Sequence, residues 1–206
     1  MLQERIFEIS SEKEFETLCI EIFRYQFQNN DVYKQFCQLI DRTPDKVKAL
    51  KDIPFLPIEF FKSKKLISDN RPPQMVFTSS GTTGTTTSKH YVTDLRLYER
   101  SFHTAFKNFY GDPSDYIFLA LLPSYLERKG SSLIYMVDSL IKNSGNVESG
   151  FYLDNLEELS VKLTELDKSR KKVFLIGVSF ALLDLIEQQK FDLQNTIIME
   201  TGGMKG

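Results

Sequence analysis

Three short apolar runs alternate with stretches of helical periodicity in the C-terminal half of the sequence. The runs cover residues 116–122, 173–176 and 196–199, with polar or turn residues around them. The segments between them, near residues 131–143, 156–166 and 180–189, place apolar residues three and four apart, as a helix requires. Continuous apolar strands separated by helices are typical of a parallel sheet buried on both faces. The sequence therefore predicts an α/β fold in which a largely parallel sheet is covered by helices.

The first seventy residues have a helical pattern instead. A capping box at residues 11–14, Ser-Glu-Lys-Glu, predicts the start of one helix. A second helix is predicted from Asp31, and a third from Thr43 and Pro44, an N-cap residue followed by proline at the first helical position. The residues that the first two helices are expected to bury are Phe15, Leu18, Cys19, Ile22, Phe23, Val32, Phe36, Leu39 and Ile40.

The polar, proline-containing stretch at residues 69–74 is the best candidate for a domain boundary. We therefore predict a helical N-terminal extension over residues 1–70 and an α/β core over residues 71–206. After the boundary, a strand at residues 75–77 leads into a loop, and a return strand at 89–92 precedes a helix over 95–110. The face that this helix is expected to bury consists of Leu95, Tyr98, Phe102, Phe106 and Phe109.

Composition excludes several classes of protein. Of the 206 residues, 41% are hydrophobic, and the formal net charge of -2 leaves no basic excess to neutralise a nucleic-acid backbone. No apolar run approaches the roughly 18–20 residues of a membrane span, and the N-terminus lacks the apolar core of a signal peptide. The 2 cysteines do not make a disulfide framework. We expect a cytoplasmic protein with no nucleic-acid partner and no membrane span.

The loop after the strand at 75–77 is unusually rich in hydroxyl groups. Residues 78–88 contain nine Ser or Thr residues and two glycines, and Lys89 follows. Such a segment is either a solvated surface loop or a phosphate-binding loop. In the second case, glycines let the backbone approach the phosphates, successive N–H groups form an anion nest and the lysine supplies a point charge. The residue order is that of neither the Walker A motif nor the dinucleotide fingerprint.

The run TSSGTTG, with Lys89 beyond it, resembles the phosphate loop of the adenylate-forming (ANL) superfamily. That loop has three hydroxyl residues, Gly, a hydroxyl residue, Thr, Gly, two variable residues and Lys. The departure here lies in its tail, where residues 85–88 place the lysine a little farther along. Three further stretches, at residues 53–66, 123–141 and 199–206, resemble the LuxE type of acyl-protein synthetase and the related phenylacetate–CoA-ligase-like proteins. The resemblance runs from about Lys51 to the last residue.

This resemblance implies a partial ANL large domain and a reaction. Enzymes of this kind join a carboxylic acid to ATP with the help of Mg²⁺, giving acyl-adenylate and pyrophosphate. They then pass the acyl group to a thiol, either a protein cysteine or CoA, and acyl reductase or transferase subunits are the implied partners. Lys89 and Thr82 are the implied catalytic residues. The residues implied to hold the phosphates are Thr78, Ser79, Ser80, Gly81, Thr82, Thr83, Gly84 and Lys89.

The same resemblance implies an adenine site and a substrate pocket. Gly202, Gly203 and Met204 match the segment whose backbone lies along the adenine, although two glycines near a chain end also fit a flexible tail. Tyr125 falls where the superfamily often places an aromatic gate for the carboxylate, and it also fits ordinary packing. Gly177 and Ser179 match a pocket-lining turn between a strand and a helix, and they fit a plain turn with an N-cap equally well.

The remaining reactive side chains have simpler interpretations. His90 and His103 are too few and too far from carboxylate clusters to indicate a metal site, so no metal ligand is predicted. Cys19 and Cys37 lie among apolar residues with no activating base nearby, which favours core positions over nucleophiles.

The later motifs of the resembled enzymes have no counterpart in the sequence. The sequence stops within the GGMKG stretch, so a fragment of an enzyme about twice as long, or a truncated gene product, is expected, and this chain alone is expected to be inactive. Two alternative functions stay open: a non-catalytic nucleotide- or acyl-binding module that partners a reductase or transferase, and an acyl-CoA ligase that uses the same loop.

Overall fold

The computed structural model describes residues 2–69, 71–79, 86–122, 130–153 and 155–202. They fold as two compact units, Met1–Ser101 and Phe102–Gly206. The domain boundary predicted at residues 70 and 71 falls within the first unit, and as a division of the sequence it stays a prediction.

The first unit contains helices of different lengths. They are α1 (Leu2–Arg5), α2 (Glu12–Asn29), α3 (Asp31–Leu39) and α4 (Phe60–Ser63), with a 3-10 turn at Leu50–Asp52. Helix α2 begins as predicted, because the Ser11 hydroxyl accepts a hydrogen bond from the backbone N–H of Glu14 at 3.3 Å. The third predicted helix is wrong. Residues 44–46 form a turn in which the N–H groups of Lys46 and Val47 both donate to the carbonyl of Thr43.

The core of the first unit forms between α2 and α3. Phe23, Tyr33, Cys37 and Val47 are its buried members. The buried face of α3 therefore consists of Tyr33 and Cys37 and not of the predicted Leu39 and Ile40, which are 86% and 43% exposed. On this face the Tyr33 hydroxyl donates to the carbonyl of Pro54 at 2.6 Å. The predicted burial of Phe15 on α2 is also wrong, since 44% of that residue is exposed.

A β-hairpin follows these helices. Its strands β1 (Met75–Thr78) and β2 (Lys89–Val92) are antiparallel. Helix α5 (Leu95–Tyr110) has the predicted bounds, and Phe77 of β1 lies 4.9 Å from Tyr98 of α5 between ring centroids. Phe102 and Phe106 are buried as predicted, but Phe109 is 82% exposed.

The second unit is built on a parallel sheet, which confirms the predicted α/β class. Its strands are β3 (Ile117–Leu121), β4 (Gly150–Tyr152), β5 (Val173–Gly177) and β6 (Thr196–Glu200), in the order β4-β3-β5-β6. The helices are α6 (Ser132–Ser144), α7 (Leu156–Lys168) and α8 (Ser179–Gln188), and a 3-10 turn at Pro113–Asp115 precedes β3. Strand β4 is the one element of this sheet that was not predicted.

Both faces of this sheet are covered. All five residues of β3 and of β5 are buried, as the continuous apolar runs predict. Alternate residues of a strand point to opposite faces. Phe118 of β3 and Phe174 of β5 contact Phe106 of α5 on one face, with ring centroids 5.5 and 5.2 Å away. Gly177 at the end of β5 faces Leu182 of α8 on the other.

Candidate functional site

The neck of the hairpin holds the ends of the predicted phosphate loop together. Thr78 and Lys89 are cross-strand partners. One step farther along, the N–H of Ser79 donates to the carbonyl of Ser88 at 3.1 Å, and the N–H of Ser88 donates to the Ser79 hydroxyl at 3.0 Å. The extra residues in the tail of the loop therefore do not move the lysine away, because Lys89 lies beside the start of the loop.

Lys89 contributes a positive charge at this neck. The side chain is exposed, and no ion pair or hydrogen bond joins it to any residue that the structure describes. Ser80, Gly81, Thr82, Thr83 and Gly84, which were predicted to contact phosphates, lie outside the described residues. A cation beside a run of hydroxyl groups is a suitable arrangement for an anion.

His90 lies next to Lys89 and contributes no charge of its own near neutral pH. Its ring makes an edge contact with Phe61 at 6.2 Å between centroids. The protein around the imidazole desolvates it and lowers the pKa of His90 below the ordinary value of 6.5. His90 therefore adds no charge to that of Lys89 at the neck near pH 7.

A second candidate region lies at the carboxyl edge of the parallel sheet. After β3 the chain forms β4 on one side of it and then crosses to form β5 on the other side. Such a reversal in strand order opens a crevice at the carboxyl ends of the two central strands, where α/β proteins bind ligands. In this sheet that position is beside Leu121 and Gly177, which are cross-strand partners.

Gly177 and Ser179, predicted from one stretch of sequence, meet Gly202, predicted from another, at this edge. The N–H of Ser179 donates to the carbonyl of Gly202 at 3.0 Å. The N–H of Thr201 donates to the carbonyl of Gly177 at 3.0 Å, and the Thr201 hydroxyl donates to the same oxygen at 3.2 Å. These bonds continue the pairing of β5 with β6 beyond the strands and hold the two turns side by side.

Sequence reasoning missed Glu200 and Thr201 at the same edge. The Ser179 hydroxyl donates to the Glu200 carboxylate, so this acid is fixed at the start of α8. The signal was available in the sequence, because both residues directly follow an apolar strand and precede the glycines. Polar residues at the carboxyl end of a parallel strand are typical of binding sites.

Both glycines at the edge have a structural reason to be glycine. A Cβ on Gly177 would lie 2.7 Å from Cγ and Cδ2 of Leu182. Helix α8 can therefore approach β5 this closely only because residue 177 has no side chain. Gly202 has φ of +75°, a left-handed conformation that L side chains rarely adopt. Gly203 and Met204, the other predicted adenine-site residues, and Tyr125, the predicted gate, lie outside the described residues.

An apolar cleft begins at this edge and runs along one face of the second unit. Its volume is about 920 Å³, and its walls come from α7, α8 and the strands β5 and β6. Ser179 and Glu200 stand at the end nearest the carboxyl edge, and Gln189 and Lys190 also line the cleft. The rest of the lining is aliphatic or aromatic.

The remaining residues that were discussed from the sequence are not among the contacts described for either region. Cys37 is fully buried and burial raises the pKa of its thiol, whereas Cys19 on α2 is partly exposed. His103 of α5 accepts from Ser139 of α6 over 2.9 Å when its Nε2 is unprotonated, and so joins two helices. Within the described ranges no group of three or more His, Cys, Asp or Glu side chains is placed to hold a metal ion. In the same ranges no helix combines the length and the apolar character that crossing a membrane requires.

Comparison with known proteins identifies relatives of the N-terminal part. A family model described as acyl-protein synthetase, LuxE, matches residues 1–111. A long-chain-fatty-acid–luciferin-component ligase of Vibrio harveyi is 41% identical over 63 residues, which are 30% of this chain and 16% of that protein. A protein of the same name from Photorhabdus luminescens is 32% identical over 74 residues, 35% of this chain and 63% of that protein. The matched stretches thus span less than two thirds of either relative.

Proposed function

Because this chain belongs to the LuxE family of acyl-protein synthetases, we propose that it serves in the ATP-dependent activation of a carboxylic acid for transfer to a thiol. The two relatives are named as ligases of long-chain fatty acids, and a fatty acid is the substrate class we propose here. The adenylate-forming chemistry is proposed from the resemblance of the hydroxyl-rich loop to that of the ANL superfamily.

The proposed reaction has two steps. A carboxylate oxygen attacks the α-phosphorus of ATP, the bond to the bridging oxygen breaks, and pyrophosphate leaves with that electron pair. A thiolate, of a protein cysteine or of CoA, then attacks the acyl carbonyl and AMP leaves. Negative charge accumulates on the phosphates during the first step, so fixed donors and cations that face them lower the barrier.

The hairpin is the proposed phosphate-binding element. Backbone N–H groups and hydroxyls of residues 78–84 would donate hydrogen bonds to the oxygens of the β- and γ-phosphates, and Lys89 would neutralise charge from the opposite strand. Thr82 and Lys89 are the residues that we assign to the reacting phosphates. Mg²⁺ is part of the proposal, since it is usually held by substrate phosphates and one or two carboxylates, and such a site needs no larger cluster of acidic ligands.

The carboxyl edge of the parallel sheet is the proposed site of the organic groups. Gly202, with Gly203 and Met204 after it, would lie along the adenine. Gly177 and Ser179, with Tyr125, would line the pocket of the acid. The pairing of the two turns by backbone hydrogen bonds supports this assignment, because it gives a ligand a rigid polar surface at the crevice.

The family match over residues 1–111 carries the proposal, and Lys89 offers its sharpest test. In Lys89→Ala we expect Mg–ATP affinity, measured by calorimetry, to fall about 10–100-fold, since a charged hydrogen bond contributes about 1.5–3 kcal/mol. Lys48→Ala is the matched control, because Lys48 is an exposed lysine of the same unit. Gly81→Val should abolish binding in a folded chain, because a Cβ there blocks close approach of the backbone.

Unchanged ATP affinity in folded Lys89→Ala would contradict the phosphate assignment. Acid-dependent exchange between ATP and pyrophosphate then separates the enzyme from the binding module. Exchange that is lost with Lys89→Ala supports the ligase. Lys89-dependent ATP binding without any exchange, even in a longer protein that carries the downstream half expected from the sequence, supports the module.

A further inference from the structure

The apolar cleft of the second unit exposes a continuous patch of large aliphatic side chains. Leu182, Leu183 and Ile186 of α8 form one wall, and Leu175 of β5 and Ile198 of β6 form its floor. Leu183, Ile186 and Ile198 are 44%, 56% and 55% exposed. Apolar side chains that are exposed together in one concave patch mark a binding site more often than a plain surface.

The alternation of the strands explains why these side chains share one face. Leu175 and Gly177 of β5 point to the α8 side, and Ile198 and Glu200 of β6 do the same, because residues two apart lie on one face of a sheet. Gly177 adds no side chain there. Because Gly177 has no Cβ, α8 can lie close to β5 at the end of the cleft nearest the carboxyl edge.

The size and composition of the cleft suit an elongated apolar ligand. Its volume of about 920 Å³ falls within the range of about 300–1,000 Å³ that is usual for small-molecule sites. The aliphatic walls offer no directional hydrogen bonds. Polar side chains line the cleft at two places: Ser179 and Glu200 where it meets the carboxyl edge, and Gln189 and Lys190 just after the end of α8.

We infer that this cleft holds the hydrocarbon chain of a long-chain acyl group, with the carboxyl end of the acyl group at the carboxyl edge of β5 and β6. The inference rests on the proposed function, which places the reacting acid at that edge. A single-file hydrocarbon chain can follow the length of β6 in contact with Ile198 and Ile186. The far end of the hydrocarbon chain then lies among side chains of the loop between α8 and β6, including Leu193.

The test is a chain-length series of monomeric saturated fatty acids, from octanoate to tetradecanoate, measured by calorimetry. Affinity should rise about fourfold with each added CH₂ group that the cleft buries. Ile186→Trp fills the cleft, so tetradecanoate should bind at least about tenfold more weakly. Ile186→Ser, which removes apolar surface without adding bulk, should weaken binding in the same direction.

Val161→Trp is the matched control, because Val161 is an exposed aliphatic residue of α7 that does not line the cleft. Affinity that is independent of chain length, or equal in Ile186→Trp and Val161→Trp, overturns the inference. A change of oligomeric state in Ile186→Trp by analytical ultracentrifugation, with fatty-acid binding unaffected, overturns it in favour of contact between copies.

Failure of this inference is distinguishable from failure of the proposed function. If ATP binding depends on Lys89 but Ile186→Trp leaves the affinity for fatty acids unchanged, the acyl-cleft inference is overturned and the ligase proposal stands. If fatty-acid affinity rises with chain length but ATP affinity is unchanged in Lys89→Ala, the cleft inference is supported and the phosphate assignment is overturned.

Discussion

Asp167 connects the end of α7 to the start of β6. It is 5% exposed, and its carboxylate accepts from the N–H groups of Gln194 and Asn195 and from the hydroxyl of Thr196, with shortest distances of 3.0, 2.7 and 2.8 Å. Burial alone would raise the pKa of Asp167, but these hydrogen bonds outweigh it and hold the pKa below the ordinary value of 3.8. The residue therefore contributes to stability as an anion.

Asp167→Asn should lower the free energy of unfolding by about 2–4 kcal/mol in urea denaturation at pH 7, because one of the two acceptor oxygens becomes an NH₂ donor that faces buried donors and the remaining hydrogen bonds lose their charge. A carboxylate with a depressed pKa stabilises the folded state above the unfolded value of about 3.9, and this contribution is lost as pH falls through the folded pKa. The difference between variant and native protein should therefore shrink at low pH.

Asp184→Asn is the control for this prediction, since Asp184 is an exposed residue of α8. A loss of stability in Asp184→Asn equal to that in Asp167→Asn would show that the effect is one of net charge. A difference between Asp167→Asn and native protein that stays constant down to pH 2 would contradict the pKa argument.

The junction of β5 with α8 illustrates packing between elements. Gly177→Ala should lower the free energy of unfolding by about 1–3 kcal/mol, the usual cost of overpacking, because its Cβ would lie 2.7 Å from Leu182. Leu182→Ala alone should also be destabilising, since it removes apolar contacts of α8.

The double variant shows whether the loss of stability in Gly177→Ala comes from a clash with Leu182 or from another cause. If the Cβ of residue 177 clashes with Leu182, the loss in Gly177→Ala/Leu182→Ala should be smaller than the sum of the two single losses. Additive losses, measured by urea denaturation of all four proteins, would show that the side chain of Leu182 is not the constraint at Gly177.

The long periodic elements could be predicted from sequence, and the short ones could not. Helix α5 and strand β2 have the predicted bounds because their apolar spacing is unambiguous. Strand β4, Gly150–Tyr152, has three residues and no pattern long enough to detect, and it forms because β3 offers it a parallel edge. The proline at residue 44 suggested a helix, but the chain has only one turn there before Val47 enters the core.

The candidate site was predictable in its glycines and not in its contacts. Residue types and order indicated Gly177, Ser179 and Gly202, whereas their mutual hydrogen bonds depend on the pairing of β5 with β6, which a single sequence does not contain. The same holds for α3, which buries Tyr33 and not Leu39: the Tyr33 hydroxyl bonds to the carbonyl of Pro54, and a single sequence does not contain that contact.

At the scale of the whole molecule, the two units differ in the chemistry they offer. The 2 cysteines of the sequence, Cys19 and Cys37, both belong to the first unit, and the carboxyl edge of the sheet belongs to the second. A thiol can accept an acyl group only as an accessible thiolate. Cys37 is fully buried beside Phe23, Tyr33 and Val47, and burial raises its pKa, so it is unsuited to be the acceptor.

Alkylation of the native protein with iodoacetamide should therefore proceed in two phases. Cys19 should react readily, whereas Cys37 should react at least about a thousandfold more slowly, because access to it requires unfolding that costs about 5 kcal/mol or more. Cys19→Ser should remove the fast phase and leave the slow one, and urea should accelerate the slow phase in step with unfolding. Equal rates for the two thiols in native protein, or an acyl thioester found on Cys37 by mass spectrometry after incubation with ATP and a fatty acid, would contradict this. Since the acyl group must reach a thiolate, protection of Cys37 would mean that the acceptor in the proposed reaction is another thiol.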